Sequence, residues 1–459
     1  MKLQSNSMTE GPILKNMIFF TVPVILTSLL QLLFNAADLV VVGRYCGSLS
    51  VAAIGSTGAI TNLIVNLFMG LSVGAGVTVA HMLGSQNDRG VHQTIHTALP
   101  AALVSGLILT AIGIPMTRPM LRWMDTPDTV LGLSATYMEI YFGGIIFTMV
   151  YNFCSAILRA AGDSKSPLIY LTLAGVVNVI LNLIFVIVFH MNVEGVAFAT
   201  VISQAVAAVL VVIALMKRTD ACKFYPRKMK FYKRPFLKMV QIGLPAGIQG
   251  SLFSISNVMI QSSVNSFGDV FMSGNAAAAN IEGFVYCMLN AHQQTALTFI
   301  GQNTGARKYD RARKILWLCL ASVTVVGLTA GSIAFFSAPK LLAIYIPDAP
   351  SAIQYGITRM AFISLPYFLC GLMDVTTGAL RGMGSSIAPM VVSVVGICVL
   401  RIVWIKTIFQ IPALHTPECL YVTYPISWIV TLVAQLVIFF KVYKRLTRQV
   451  ELPSVYTKA

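Results

Sequence analysis

Apolar stretches separated by short polar ones recur along the whole chain. They lie at about 17–42, 54–80, 95–116, 132–157, 168–190 and 195–216, then at about 239–264, 273–299, 315–337, 355–379, 388–411 and 420–441. Each is close to the ~20 residues that cross the hydrocarbon of a bilayer. Unpaired backbone groups are too costly in lipid for an open structure, so these segments are predicted to be helices. The two sets of six are copies of one another. Leu158, Arg159 and Gly162 to Pro167 return 222 residues later as Leu380, Arg381 and Gly384 to Pro389. Pro23 with Pro245, Asn35 with Asn257 and Gly84 with Gly305 keep that spacing to within one residue. The pattern predicts an all-α membrane protein of twelve transmembrane helices in two pseudo-symmetric six-helix lobes. The lobes are 1–216 and 239–443, with a basic linker at 217–238 and a tail at 444–459. Paired repeats of membrane helices build sites that face either side of the bilayer in turn.

Composition agrees with this reading. Of 459 residues, 56% are hydrophobic and only 10% charged, and the mean hydropathy is +0.78, far from a soluble domain. A net charge of +16 raises the question of nucleic acid, and the placement of Lys and Arg answers it. With twelve spans, one side collects Lys2, Lys15, Arg89, Arg159, Lys165, nine residues from Lys217 to Lys238, five from Arg307 to Lys314, Arg381, and five from Lys441 to Lys458, or 25 of the 32. The other side has Arg44, Arg118, Arg122, Lys340, Arg359 and Lys406. This is the positive-inside asymmetry, which places both termini in the cytoplasm and makes the basic patches determinants of topology, with no nucleic-acid partner. The eight cysteines are scattered without a CxxC pair and read as small apolar residues. The polar start leads into an apolar run too long for a signal peptide, so the first span is expected to be retained. A bacterial inner membrane is the expected location.

Charged groups in hydrocarbon cost at least about 2.5 kcal/mol, which singles out the acids of the spans: Asp38, Glu139, Glu282 and Asp374. Glu139 lies near the end of its span, where it reaches water. Burial favours the protonated form of the other three, unless a cation takes the proton's place, so each is a candidate for coupling a gradient to a change of shape. Asn178 and Asn182 share one face of span five, and Thr200 and Ser203 supply oxygens in span six. With Asp38 they make a candidate proton or cation site in the first lobe, against the plainer alternative of interhelical hydrogen bonds. Span seven carries Gln249, Ser254, Asn257, Gln261 and Asn265, and span eight carries Asn280, Glu282, Asn290, His292, Gln293 and Gln294, too many polar groups for a lipid face. Arg401, in span eleven, needs a partner, and Asp374 or Glu282 is expected to supply it. Pro23 is a candidate hinge in span one. His92 and His96 read as part of a polar loop beside Arg89, not as a metal site, and Gly113 to Pro115, Pro119 and Pro127 read as breakers. No GxxxxGK[ST] loop or nucleophile elbow occurs, which argues against an ATPase or any other enzyme.

Over nearly its whole length the chain resembles the multidrug and toxic compound extrusion (MATE) family. The resemblance rests on Leu158-Arg159-Ala160-Ala161-Gly162-Asp163 and its copy Leu380-Arg381-Gly382-Met383-Gly384, on Gly301-Gln302-Asn303-Thr304-Gly305-Ala306, and on Asn35-x-x-Asp38 with Gly43. It implies a twelve-helix exporter of organic cations and drugs, driven by exchange for protons or sodium, with no other cofactor and working as a monomer among membrane lipids. In the family's DinF-like branch the site in the first lobe combines an acid in helix one, an Asn and an acid one turn apart in helix five, and a Thr in helix six. Asp38, Asn178 and Thr200 match it and Pro23 matches the bending proline, but Asn182 stands in place of the second acid, which favours a proton at Asp38 over Na+. The NorM-like branch adds acids in helices seven and ten; Asp374 is in helix ten, helix seven has none, and Glu282 in helix eight is a candidate substitute that also leaves Na+ open there. Gln249, Asn257, Gln261 and Arg401 complete the candidate coupling or substrate groups of the second lobe. The alternatives are a lipid-linked oligosaccharide flippase of the same superfamily, which would need more buried cations, and a membrane sensor that has lost transport.

Overall fold

Apolar side chains on nearly every face leave the backbone little choice in lipid, and the described residues fold almost wholly into helices. The computed structural model describes residues 8–124, 126–347 and 349–451. The expected sites Lys2 and Lys458 and the tail beyond 451 lie outside them. The first repeat comprises α1 (Ile13–Tyr45), α2 (Ser48–Gly84), α3 (Asp88–Trp123), α4 (Asp128–Ala160), α5 (Lys165–Leu183) and α6 (Val193–Lys217). The second comprises α7 (Lys233–Asn265), α8 (Asp269–Gly305), α9 (Tyr309–Phe336), α10 (Ala338–Tyr345), α11 (Pro350–Ile363), α12 (Tyr367–Gly382), α13 (Ile387–Ser393), α14 (Leu400–Lys406) and α15 (Pro417–Glu451).

Among the described residues, nine helical stretches are long and apolar enough to cross a membrane, and α11 with α12 makes a tenth, bent by 46°. The remaining two expected spans are α7 and α8, whose 33 and 37 residues are long enough but interrupted by the Gln, Asn, Ser and His side chains noted above. The duplication is written into the backbone. Left-handed φ values at Gly47, Gln86 and Gly162 (88°, 54° and 87°) return at Gly268, Arg307 and Gly384 (89°, 56° and 84°). Gly162 and Gly384 each close a helix C-terminus where a side chain would be strained, which explains the repeated glycine of the sequence motif.

Three local readings are corrected by the structure. His92 and His96 belong to α3, not to a loop. Their rings stack at 3.8 Å, and His96 Nε2 accepts the Tyr225 N–H at 3.1 Å. Pro115 and Pro119 do not end a span, because α3 runs through them to Trp123. Span eleven is not one α-helix; a π-helical turn, Val394–Val399, separates α13 from α14.

The chain forms two compact units. Unit 1 contains Leu26–Ser251 and unit 2 contains Asn6–Ile25 and Leu252–Ala459. The crossings fall inside α1 and α7, not in the 217–238 segment. That segment is seated within unit 1: Phe224 is buried, Tyr232 N–H donates to Thr97 Oγ1 at 3.1 Å, and Arg218 pairs with Asp220. Burial pushes the Asp220 carboxyl up, but the hydrogen bonds and charge of Arg218 outweigh it and hold the group below its ordinary range.

Within unit 1, α2 and the first half of α7 meet through glycines. A Cβ at Gly70 would collide with backbone atoms of Gly243 and Gly247, and one at Gly243 would lie 2.6 Å from Gly70 O. Small residues permit this approach in lipid, where packing replaces the hydrophobic effect. Gly243→Val is therefore expected to destabilise the protein by about 1–3 kcal/mol. Its melting temperature in detergent should fall well below that of Gly55→Val, where nothing lies within 4 Å of the added atom; equal melting of the two variants would contradict this packing.

Candidate functional site

In unit 1 an acid and two amides come together at a close helix contact. Gly175 of α5 carries no Cβ where one would overlap the Phe34 ring of α1, so the two helices approach closely enough for short side chains to meet. Asn178 and Asn182, one turn apart on α5, are 5% and 0% exposed. Asn182 Nδ2 donates to Asp38 Oδ1 and also reaches Asn178 Oδ1 at 3.3 Å. Asp38 is half-buried and has no basic partner among the described residues; Asn182 bonds to it, and Tyr137 of α4 lies within reach of its charge. Asn182 Oδ1 is buried without a hydrogen-bond partner among the described residues. A π-helical turn, Ile184–Val188, follows immediately, a distortion often found beside functional groups. Thr200 is on α6, but its hydroxyl donates to Val196 O of its own helix at 2.9 Å, and Ser203 donates to Thr200 O at 2.8 Å. Thus three of the four expected residues are joined by hydrogen bonds, and Thr200 is bonded elsewhere. Pro23 is buried in an α1 that stays α-helical through it.

Unit 2 holds a different arrangement. Glu282 of α8 is 3% exposed and is gripped by Arg359 of α11, with Nη2 at 2.7 Å and Nε at 3.2 Å from Oε2. Arg359 Nη1 donates to Asn275 Oδ1 at 2.7 Å, which also accepts from the Tyr421 hydroxyl at 2.9 Å. Gly274 makes the contact possible, because a Cβ there would strike Ala352 O of α11. The expected pairing of Arg401 with Glu282 or Asp374 does not form. Arg359, read from sequence as an outer-side topology residue, takes Glu282. Arg401 instead lies 4.0 Å from the Tyr424 ring centroid and 5.9 Å from that of Trp428, with Nε donating to Ser427 Oγ at 2.9 Å. An aromatic face offsets about 0.5–2 kcal/mol of a cation's desolvation, less than a carboxylate partner gives. Asp374 is 5% exposed; Tyr286 hydrogen-bonds to it and the Arg381 charge acts on it.

The remaining polar candidates divide. Gln249 is buried and belongs to unit 1. Asn257 and Gln261 are exposed on the second half of α7, where Gln261 Nε2 donates to Asn265 Oδ1 at 2.9 Å. Glu139 is part-exposed beside Arg118 at 3.5 Å. Among the described residues no three His, Cys, Asp or Glu side chains are grouped as metal ligands. Sequence reasoning missed Tyr137, Tyr286, Arg359 and Tyr424, whose placement inside apolar runs was the one signal for them.

The MatE family model matches residues 23–184 and 245–405, two stretches whose starts, Pro23 and Pro245, are repeat equivalents. The chain belongs to the MATE family. It is 27% identical over 401 residues to the probable multidrug resistance protein YpnP of Bacillus subtilis, covering 87% of this chain and 89% of that one. It is 24% identical over 398 residues to the probable multidrug resistance protein NorM of Thermotoga maritima, covering 84% of each. Its fold is that of an outward-facing MATE family transporter of the MOP superfamily, with a TM-score of 0.89 at 18% identity, covering 98% of this chain and 100% of that one. As a MATE protein the chain is a multidrug-efflux-type transporter and not an enzyme, with twelve transmembrane helices in two lobes. The broken α11–α12 element and the polar α7 and α8 are three of those twelve.

Proposed function

We propose that this chain is an antiporter that exports lipophilic and cationic organic compounds in exchange for protons, from a bacterial inner membrane with both termini cytoplasmic. The observation that carries the reading is the Asp38 cluster: one half-buried carboxylate held by an amide, with no basic partner among the described residues. Such a group is neutralised by a proton more readily than by Na+, because Asn182 turns an N–H donor toward it where a metal ion would need another oxygen. Moving one charge across about 100 mV supplies roughly 2.3 kcal/mol, enough to shift a two-state equilibrium about fiftyfold. Loading Asp38 from outside and unloading it inside would drive the exchange, with the chain acting as a monomer and the coupling ion as its sole cofactor. Proteoliposomes loaded with ethidium test the coupling ion. A proton gradient imposed without sodium should drive efflux, and a sodium gradient at uniform pH should not; efflux under sodium alone would move the coupling group away from Asp38.

A further inference from the structure

The segment joining the two repeats keeps a large excess of positive charge. Residues 217–238 carry nine Lys or Arg and one acid, Asp220. That acid is already paired with Arg218, which also lies 3.8 Å from Asp163. Asp88, at the start of α3, reaches the buried Cys222. Among the described residues no acid pairs with Lys223 or Lys228.

This charge is held in place. Phe224 is buried, and its N–H donates to Leu215 O in the last turn of α6 at 3.1 Å, so the chain folds back onto the helix it has just left. The Tyr225 and Tyr232 N–H groups are bonded to His96 and Thr97, within the first three turns of α3. The segment leaves one span at Lys217 and enters the next at Lys233. Tied to helix ends at both of its own ends and in its middle, it lies flat where those spans leave the hydrocarbon, which is the depth of lipid headgroups. At its centre the ammonium groups of Lys223 and Lys228 lie 5.3 and 4.9 Å from the centroid of one ring, that of Tyr225. Two like charges gathered on one ring repel each other, and an anion between them relieves that repulsion. Tyr225, Met229 and Phe231, in the same stretch, are 39%, 45% and 50% exposed. Bases interleaved with aromatic and apolar groups at headgroup depth suit a lipid, whose phosphate and acyl chains meet there, whereas a soluble oxyanion would use the bases alone.

We propose that residues 223–231 form a binding site for an anionic phospholipid, with the headgroup phosphate between Lys223 and Lys228 and the start of the acyl chains against Met229 and Phe231. The proposal needs only that the chain spans a bilayer, and it holds whether or not protons drive export. Full-length protein in dodecyl maltoside micelles, titrated with dioleoylphosphatidylglycerol or dioleoylphosphatidylcholine and read by native mass spectrometry, tests it. Phosphatidylglycerol should bind at least about tenfold more tightly than phosphatidylcholine. Lys223→Gln with Lys228→Gln should bring the two lipids within about twofold of each other, whereas Lys223→Arg with Lys228→Arg should keep the preference. Lys441→Gln with Lys444→Gln removes the same charge from exposed positions near the end of α15 and should also keep it. Equal binding of the two lipids by the unaltered protein, a preference that survives Lys223→Gln with Lys228→Gln, or an equal loss with the α15 pair overturns the proposal. Release of phosphatidylglycerol by inorganic phosphate, but not by chloride at the same ionic strength, would give the lysines to a soluble oxyanion and equally overturn it.

Discussion

Asp38→Asn is expected to reduce proton-driven efflux to the level of protein-free liposomes while the protein stays folded. The asparagine can still accept from Asn182, so the α1–α5 hydrogen bond survives. What disappears is the exchangeable proton. Removing a partly buried carboxylate also removes its desolvation cost, so the melting temperature should hold or rise. That combination separates coupling from structure, since a variant that lost transport by misfolding would melt lower. Thr200→Val is the matched comparison: its hydroxyl bonds to its own helix, so efflux should stay within about a factor of two or three of the unaltered rate, the scale of a fraction of a kcal/mol. Normal efflux by Asp38→Asn would remove Asp38 from the mechanism.

Breaking the Glu282–Arg359 pair is expected to be the most damaging single change to stability. Glu282→Gln leaves Arg359 buried and uncompensated, at a cost of about 3–5 kcal/mol. Arg359→Gln should cost a similar amount through the stranded carboxylate. The double variant Glu282→Leu with Arg359→Met should recover most of the loss, because no charge then remains to be solvated. Thermal unfolding in detergent, run as a double-mutant cycle, reads the coupling directly. The same cycle on Glu282 and Arg401 should be close to additive, because Arg401 contacts Tyr424, Trp428 and Ser427. Strong coupling of Glu282 to Arg401 and none to Arg359 would reverse the assignment.

The helices were legible because burying backbone in lipid leaves little choice. Every expected apolar run falls on a helical element, and the repeat spacing returns in the φ angles of Gly162 and Gly384. The meeting of Asp38 with Asn178 and Asn182 was legible as well, since two residues four apart must share a helix face. Arg359 was not. Counting charge by position along the chain assigned it to a water-facing end, whereas its long side chain reaches Glu282 and Asn275 on another helix. Partner choice for Arg401 failed for a related reason: an acid was assumed where aromatic faces serve, and the π-helical turn that aims α14 has no marker in the sequence. His92 and His96 look like loop residues by polarity alone. They lie in the first turns of α3, which Asn87 caps by accepting the Gly90 N–H, and the Tyr225 N–H then bonds to His96.

The places where the chain changes unit bear on how such a protein came to exist. Met17, Phe20 and Val24 of α1 are packed in one core with Leu289, Phe299 and Phe439, and Met239 of α7 is packed in another with Val79, Ile95 and Phe153. Each repeat thus lends the first half of its first helix to the other, ending close after Pro23 in one case and Pro245 in the other. A single ancestral repeat would have had an incomplete core by itself and a complete one only as an exchanged pair. Carried on one chain, that exchange is intramolecular and independent of concentration. Residues 1–232 and 233–459 made as separate polypeptides should accordingly depend on co-expression for their survival.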